Sequence, residues 1–161
     1  MRTCLTPIVT AALSAAVLAP TPAGAASDRN CSLDLTFVAA PVKVSGTPPL
    51  SGATESRAAT VDGKLCGKQF QGAARLSITY TGPGTPNTVV FAVFGPLGSL
   101  GGTAHAIGLR QPDGSVSLSG GGTITRGTGL YKGAIGSFST TGTRPANSTV
   151  NTVQDVGTVR F

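Results

Sequence analysis

The chain has no tryptophan, one histidine, one methionine and three cysteines in 161 residues, and only 11% of its residues are charged. Each shortage removes a class of function. One histidine and three cysteines are too few for a closed zinc site once Cys4 is set apart in an apolar leader, and no Cys-x-x-Cys pair is present for dithiol chemistry. Aromatic residues make up 5%, too few for platforms that stack bases, and the basic residues stand singly from Arg29 to Arg160 instead of forming a stripe. The net charge of +6 therefore does not read as nucleic-acid binding. Also missing are a P-loop, a dinucleotide fingerprint and a Gly-x-Ser-x-Gly elbow.

A hydrophobic run long enough to span a bilayer, about 20 residues, is lacking too. The apolar stretch from Pro7 to Ala19 is shorter and is interrupted by Thr10 and Ser14. It follows Met1-Arg2 and precedes Pro20-Thr21-Pro22-Ala23-Gly24-Ala25, the order of a secretory signal with an Ala-x-Ala site. The expectation is a signal peptide over residues 1–25, one secreted domain over residues 26–161, and no membrane anchor. A lipid-bearing cysteine would follow the apolar run, whereas Cys4 precedes it. Loss of the leader leaves Cys31 and Cys66, most simply a disulfide in an oxidising compartment. Closing that loop is worth roughly 3 to 4 kcal/mol in the chain-entropy model.

What the chain has in abundance is glycine, 23 residues, with 11 prolines. Together with threonine they interrupt every window long enough for a helical repeat. Strand alternation is present instead. Cys31, Leu33, Leu35 and Phe37 alternate with Ser32, Asp34 and Thr36, and Leu76, Ile78 and Tyr80 alternate with Arg75, Ser77 and Thr79. Residues 87–94 are apolar on both faces, which suits packing against a subunit. Residues 103–110 alternate less strongly, Val116, Leu118 and Ile124 share a face, and Pro112-Asp113-Gly114 is a hairpin turn. Residues 150–161 read as a closing strand with a poor facing pattern. Gly120-Gly121-Gly122 and the run Gly127–Phe138 indicate bending at a barrel corner, with Leu130, Tyr131, Ile135 and Phe138 as the apolar surface to be buried. The fold class is all-β and antiparallel, a closed barrel in preference to a sandwich because closure removes sheet edges.

Gly127-Thr-Gly129-Leu-Tyr131-Lys-Gly133-Ala134-Ile-Gly136-Ser-Phe138 resembles the Gly-x-Gly-x-aromatic-x-Gly-Ala-x-Gly-x-aromatic signature of the allene oxide cyclase and dirigent barrel superfamily, including its secreted bacterial members. The close match covers residues 115–143. The resemblance implies an eight-stranded up-and-down barrel with an apolar cavity, trimeric in plant members, that guides cyclisation or coupling of small hydrophobic compounds without a cofactor. The motif itself reads as structural, so chemistry is sought on other strands.

Such chemistry needs shape, excluded water and one or two polar groups. Glu55, the sole glutamate, shares a strand face with Arg57. If that face is internal, Glu55 can orient a water or a developing cation while Arg57 fixes its ionised state. The competing reading is a solvated pair worth about 1 kcal/mol or less. His105, aligned with Ile107 and Leu109, is the second catalytic candidate, against a plain hydrogen-bonded core or rim histidine. Tyr80, on the face of Leu76 and Ile78, is a candidate ligand-binding hydroxyl, against a tyrosine capping the barrel end, and Arg57 is the other ligand-binding candidate. No metal or cofactor is implied, and the expected partner is a small hydrophobic ligand. The rival function is an extracellular structural or interaction module without a working cavity.

Overall fold

The computed structural model describes residues 30–161. The expected signal peptide, Cys4 and the first residues of the expected domain lie outside that range. Eight strands follow one another: β1 Cys31–Ser45, β2 Thr54–Leu65, β3 Lys68–Thr79, β4 Asn87–Gly95, β5 Gly98–Arg110, β6 Val116–Gly127, β7 Ile135–Arg144 and β8 Asn151–Arg160. Each pairs antiparallel with its neighbour in sequence, and β8 pairs with β1 to close an up-and-down barrel. Among the described residues the helical part is one 3-10 turn, Gly129–Tyr131.

Antiparallel order assigns every loop to one of two ends. Tight connections at Cys66-Gly67 and Pro96-Leu97, and the segment 128–134, lie at one end with the start of β1. The loops 46–53, 80–86, 111–115 and 145–150 lie at the other.

The two halves are filled differently. Toward the first end the inward positions carry large apolar side chains, among them Leu33, Leu35, Leu65, Phe70, Val93, Leu100 and Val159, all buried in one cluster. The Gly127–Phe138 run closes this end. Its 3-10 turn brings Tyr131 over the barrel, with its ring 5.5 Å from that of Phe161 and 6.5 Å from that of Phe70. Tyr131 and Phe138 are buried as expected, but Leu130 is 68% exposed and Ile135 also faces outward. The turn has a solvent side that spacing alone did not separate from its inner side. Cys31 and Cys66 form the disulfide, with Cα atoms 4.7 Å apart, tying the start of β1 to the β2–β3 hairpin at the same end.

Toward the other end the inward face of β5 is Ala104, Ala106 and Gly108, and that of β6 includes Gly120 and Gly122. These positions have little or no side chain, and space remains. Gly122 is required by close approach: a Cβ there would lie 2.5 Å from the Phe138 ring and 2.6 Å from the Thr103 carbonyl oxygen. Asp113 shapes the β5–β6 hairpin, accepting from Ser115 N at 2.9 Å and Ser115 Oγ at 2.6 Å, while Gly114 adopts φ +84°. On the outer wall Val90 and Phe94 of β4 are 45% and 51% exposed, the outward half of the two-faced apolar strand.

Candidate functional site

A cavity of about 440 Å³ occupies the second half and opens between the loops at that end. Its walls are mainly apolar: Leu76 and Ile78 of β3, Val89 of β4, Ala104 and Ala106 of β5, Leu118 of β6 and Val153 of β8. Phe37, Phe91, Phe138 and Asp155 border both this cavity and a small void in the packed half, which makes them its floor. The Phe91 and Phe138 rings meet edge to face at 5.5 Å.

Glu55 and Arg57 share a face of β2, as alternation indicated, and that face is the inner one: the two are 5% and 3% exposed, so the solvated pair is ruled out. Arg57 Nη2 lies 2.8 Å from Glu55 Oε1, and the Tyr80 hydroxyl donates a short hydrogen bond to Glu55 Oε2. Arg57 Nη1 donates to the Ala39 carbonyl at 3.1 Å and to the Thr149 carbonyl at 2.9 Å. The local reason is a gap. β1 pairs with β8 only as far as Ala39–Asn151, and its register against β2 shifts at Pro41–Lys43, where proline has no N–H to give. Arg57 bridges the place where that pairing ends. Both Glu55 oxygens are thus engaged. Arg57 and Tyr80 line the cavity, Tyr80 by way of the inward face of β3 with Leu76 and Ile78. Burial, and then the hydrogen bond to Glu55, push the Tyr80 hydroxyl up to about 12, so it stands at the cavity as a neutral phenol.

His105 is placed elsewhere. Its side chain is exposed and lies on the outside of β5, because Ala104 and Ala106 take the inward positions on either side. The expected inward orientation with Ile107 and Leu109 is corrected: that apolar face is the outer one, and Leu109 is itself exposed. His105 is absent from the cavity wall.

Sequence reasoning missed Asp155. It stands on the inward face of β8 beside Val153 and accepts a hydrogen bond from Thr140 Oγ1 at 2.7 Å. Burial raises its carboxyl from 3.8 to about 6, against the opposing pull of the Thr140 bond. A carboxyl group on the floor of an apolar cavity, half ionised near pH 6, can accept a proton from a ligand or return one. Strand parity held the signal: Asp155 is in phase with Val153 and Val159. Also in that phase is Asn151, whose Oδ1 is buried without a partner, as is Arg57 Nε. Among the described residues no three His, Cys, Asp or Glu side chains gather to hold a metal, and no helix is long and apolar enough to cross a membrane.

No family model matches the chain, and no curated protein is found to be similar to it. Among solved structures it has a likeness to pyocyanin demethylase, at 14% identity and a TM-score of 0.44, covering 77% of this chain and 99% of that one. A likeness that loose carries no argument about the site.

Proposed function

We propose that the protein is a secreted barrel that binds one small hydrophobic molecule in its cavity and orients it for ring closure or stereoselective coupling, the chemistry of the allene oxide cyclase and dirigent barrels that its Gly127–Phe138 run resembles. The observation that carries this reading is the cavity: about 440 Å³, within the range of small-molecule sites, apolar in its walls and supplied with only a few polar groups. A structural module has no use for that space, since unfilled interior volume costs stability.

In this reading the walls hold a reactive conformer and exclude water, and Asp155 moves the proton, in the place first assigned to His105. Tyr80, whose proton is committed to Glu55, offers the ligand a neutral oxygen acceptor of fixed position. No step needs a cofactor. Native mass spectrometry of protein recovered from its own culture medium tests the binding, followed by extraction of what it carries. The expected result is a one-to-one adduct with a specific apolar compound and an N-terminus at Ala26. Recovery of bare protein that also fails to take up apolar dyes overturns it. With the compound in hand, Asp155→Asn is expected to retain binding and lose turnover. Unchanged turnover removes Asp155 from the mechanism.

A further inference from the structure

The mouth of the cavity carries charge that no described residue answers. Arg110 ends β5 and Arg144 ends β7, and both are in register with the same residue, Val116 at the start of β6. The three stand side by side across adjacent strands, and all three line the cavity. Two strand spacings, about 10 Å, separate the two arginine backbones, a span that two long side chains can close onto one group between them. Neither guanidinium has a hydrogen bond or carboxylate partner among the described residues, in contrast to Arg57. Asp113, the acidic residue closest to Arg110 in sequence, commits its Oδ1 to Ser115. The charge of Arg144 is felt across the opening at Tyr80.

Unpaired guanidinium groups at the rim of a low-dielectric cavity make a site for an oxyanion, because charge-assisted and bidentate hydrogen bonds are strongest where water is partly excluded. The opposite end of the cavity has the opposite preference. Asp155 on the floor repels a second anion and accepts hydrogen bonds, so an amphipathic anion enters tail first and leaves its head at the mouth. We infer that Arg110 and Arg144 form an oxyanion subsite, and that the ligand is an amphipathic anion whose carboxylate or phosphate head they hold while its apolar body fills the barrel. This rests on the proposed binding of a hydrophobic molecule and names its chemical class.

The test is a set of ligands with one tail and different heads, namely decanoate, decyl phosphate, decanol and decyltrimethylammonium, titrated by calorimetry into the wild-type protein and the Arg110→Gln/Arg144→Gln double variant. Both anions are expected to bind wild type at least about tenfold more tightly than decanol, with an advantage that shrinks as salt is raised. The double variant is expected to lose that advantage and keep its affinity for decanol, which also reports that its barrel is intact. The carboxylate and phosphate arms tell which head the pair prefers. Equal binding of decanol and both anions by wild type overturns the subsite while leaving the hydrophobic cavity standing. Tighter binding of the ammonium overturns it as well, and failure of all four to bind overturns the subsite and the cavity reading together. If the variant does not fold, the comparison of heads and its salt dependence in wild type decide the matter alone.

Discussion

Asp155 is a buried carboxyl whose ionisation comes at a cost to the fold. Below about pH 4 its carboxyl is protonated whether the chain is folded or not, and burial is not penalised. Because the folded value lies near 6, the native state loses stability as pH rises through that interval, by roughly 2 to 3 kcal/mol in all. Asp155→Asn keeps an acceptor for Thr140 and cannot ionise. Thermal melts of the two proteins are expected to coincide near pH 4 and to separate above pH 6, with the variant more stable. Coincidence at pH 8 would show that the carboxyl is better solvated than its surroundings indicate. Replacing Glu55 has the opposite effect on stability. Its removal in Glu55→Ala leaves Arg57 buried and uncompensated, with an expected loss of roughly 3 to 5 kcal/mol in urea unfolding. Tyr80→Phe, which deletes a single donor, is expected to cost less, roughly 1 to 3 kcal/mol.

At the scale of elements, the two ends of the barrel are filled differently, and this explains what could be read in advance. Where strands fill the packed half, inward residues are large and apolar, so the alternation from Cys31 to Phe37 located β1 and its inner face without ambiguity. Along the cavity, β3 and β6 keep the signal through Leu76, Ile78 and Leu118, whereas the inward residues of β5, β8 and the start of β2 are small or polar and hydrophobicity no longer marks the inside. β5 then misleads, since Ile107 and Leu109 face outward while Ala106 and Gly108 face in. β8 gives a weak pattern for the same reason, its inward face running from Asn151 through Asp155 and Gly157 to Val159. On those strands the alternation that marks the inside is weak, which is why Glu55 and Arg57 were found by their type and Asp155 was passed over. The difference between the ends also makes a prediction. The disulfide ties β1 to the β2–β3 hairpin at the packed end, so Cys31→Ser/Cys66→Ser is expected to lower stability by about 3 to 4 kcal/mol in the chain-entropy model. The cavity lies at the opposite end, and ligand affinity at a temperature where the variant remains folded is expected to be unchanged. Loss of affinity there would mean that the two ends are mechanically coupled.

For the molecule as a whole, closure without strand edges lets one half of the barrel stay unfilled. Eight strands pair in a closed ring, and where β1 outruns β8 beyond Ala39 the Arg57 side chain takes up free carbonyls, so the wall does not depend on the cavity being packed. Stability and binding should therefore be separable by filling the space. Ala106 is suited to this. It lines the cavity on β5 and lies opposite Gly120 on β6 and Asn87 on β4, so a larger side chain there has a bare glycine beside it. Ala106→Phe projects a ring into the cavity, where it buries apolar surface at a gain of about 1.5 to 3 kcal/mol if it meets no clash. The variant is expected to melt no lower than wild type and to lose at least about tenfold in affinity for any ligand of the cavity, whatever its head group. The two measurements must be read together. Retained affinity in a well-folded variant would place the ligand outside the barrel, while a lower melting temperature with lost affinity would show that the walls are already at their closest approach.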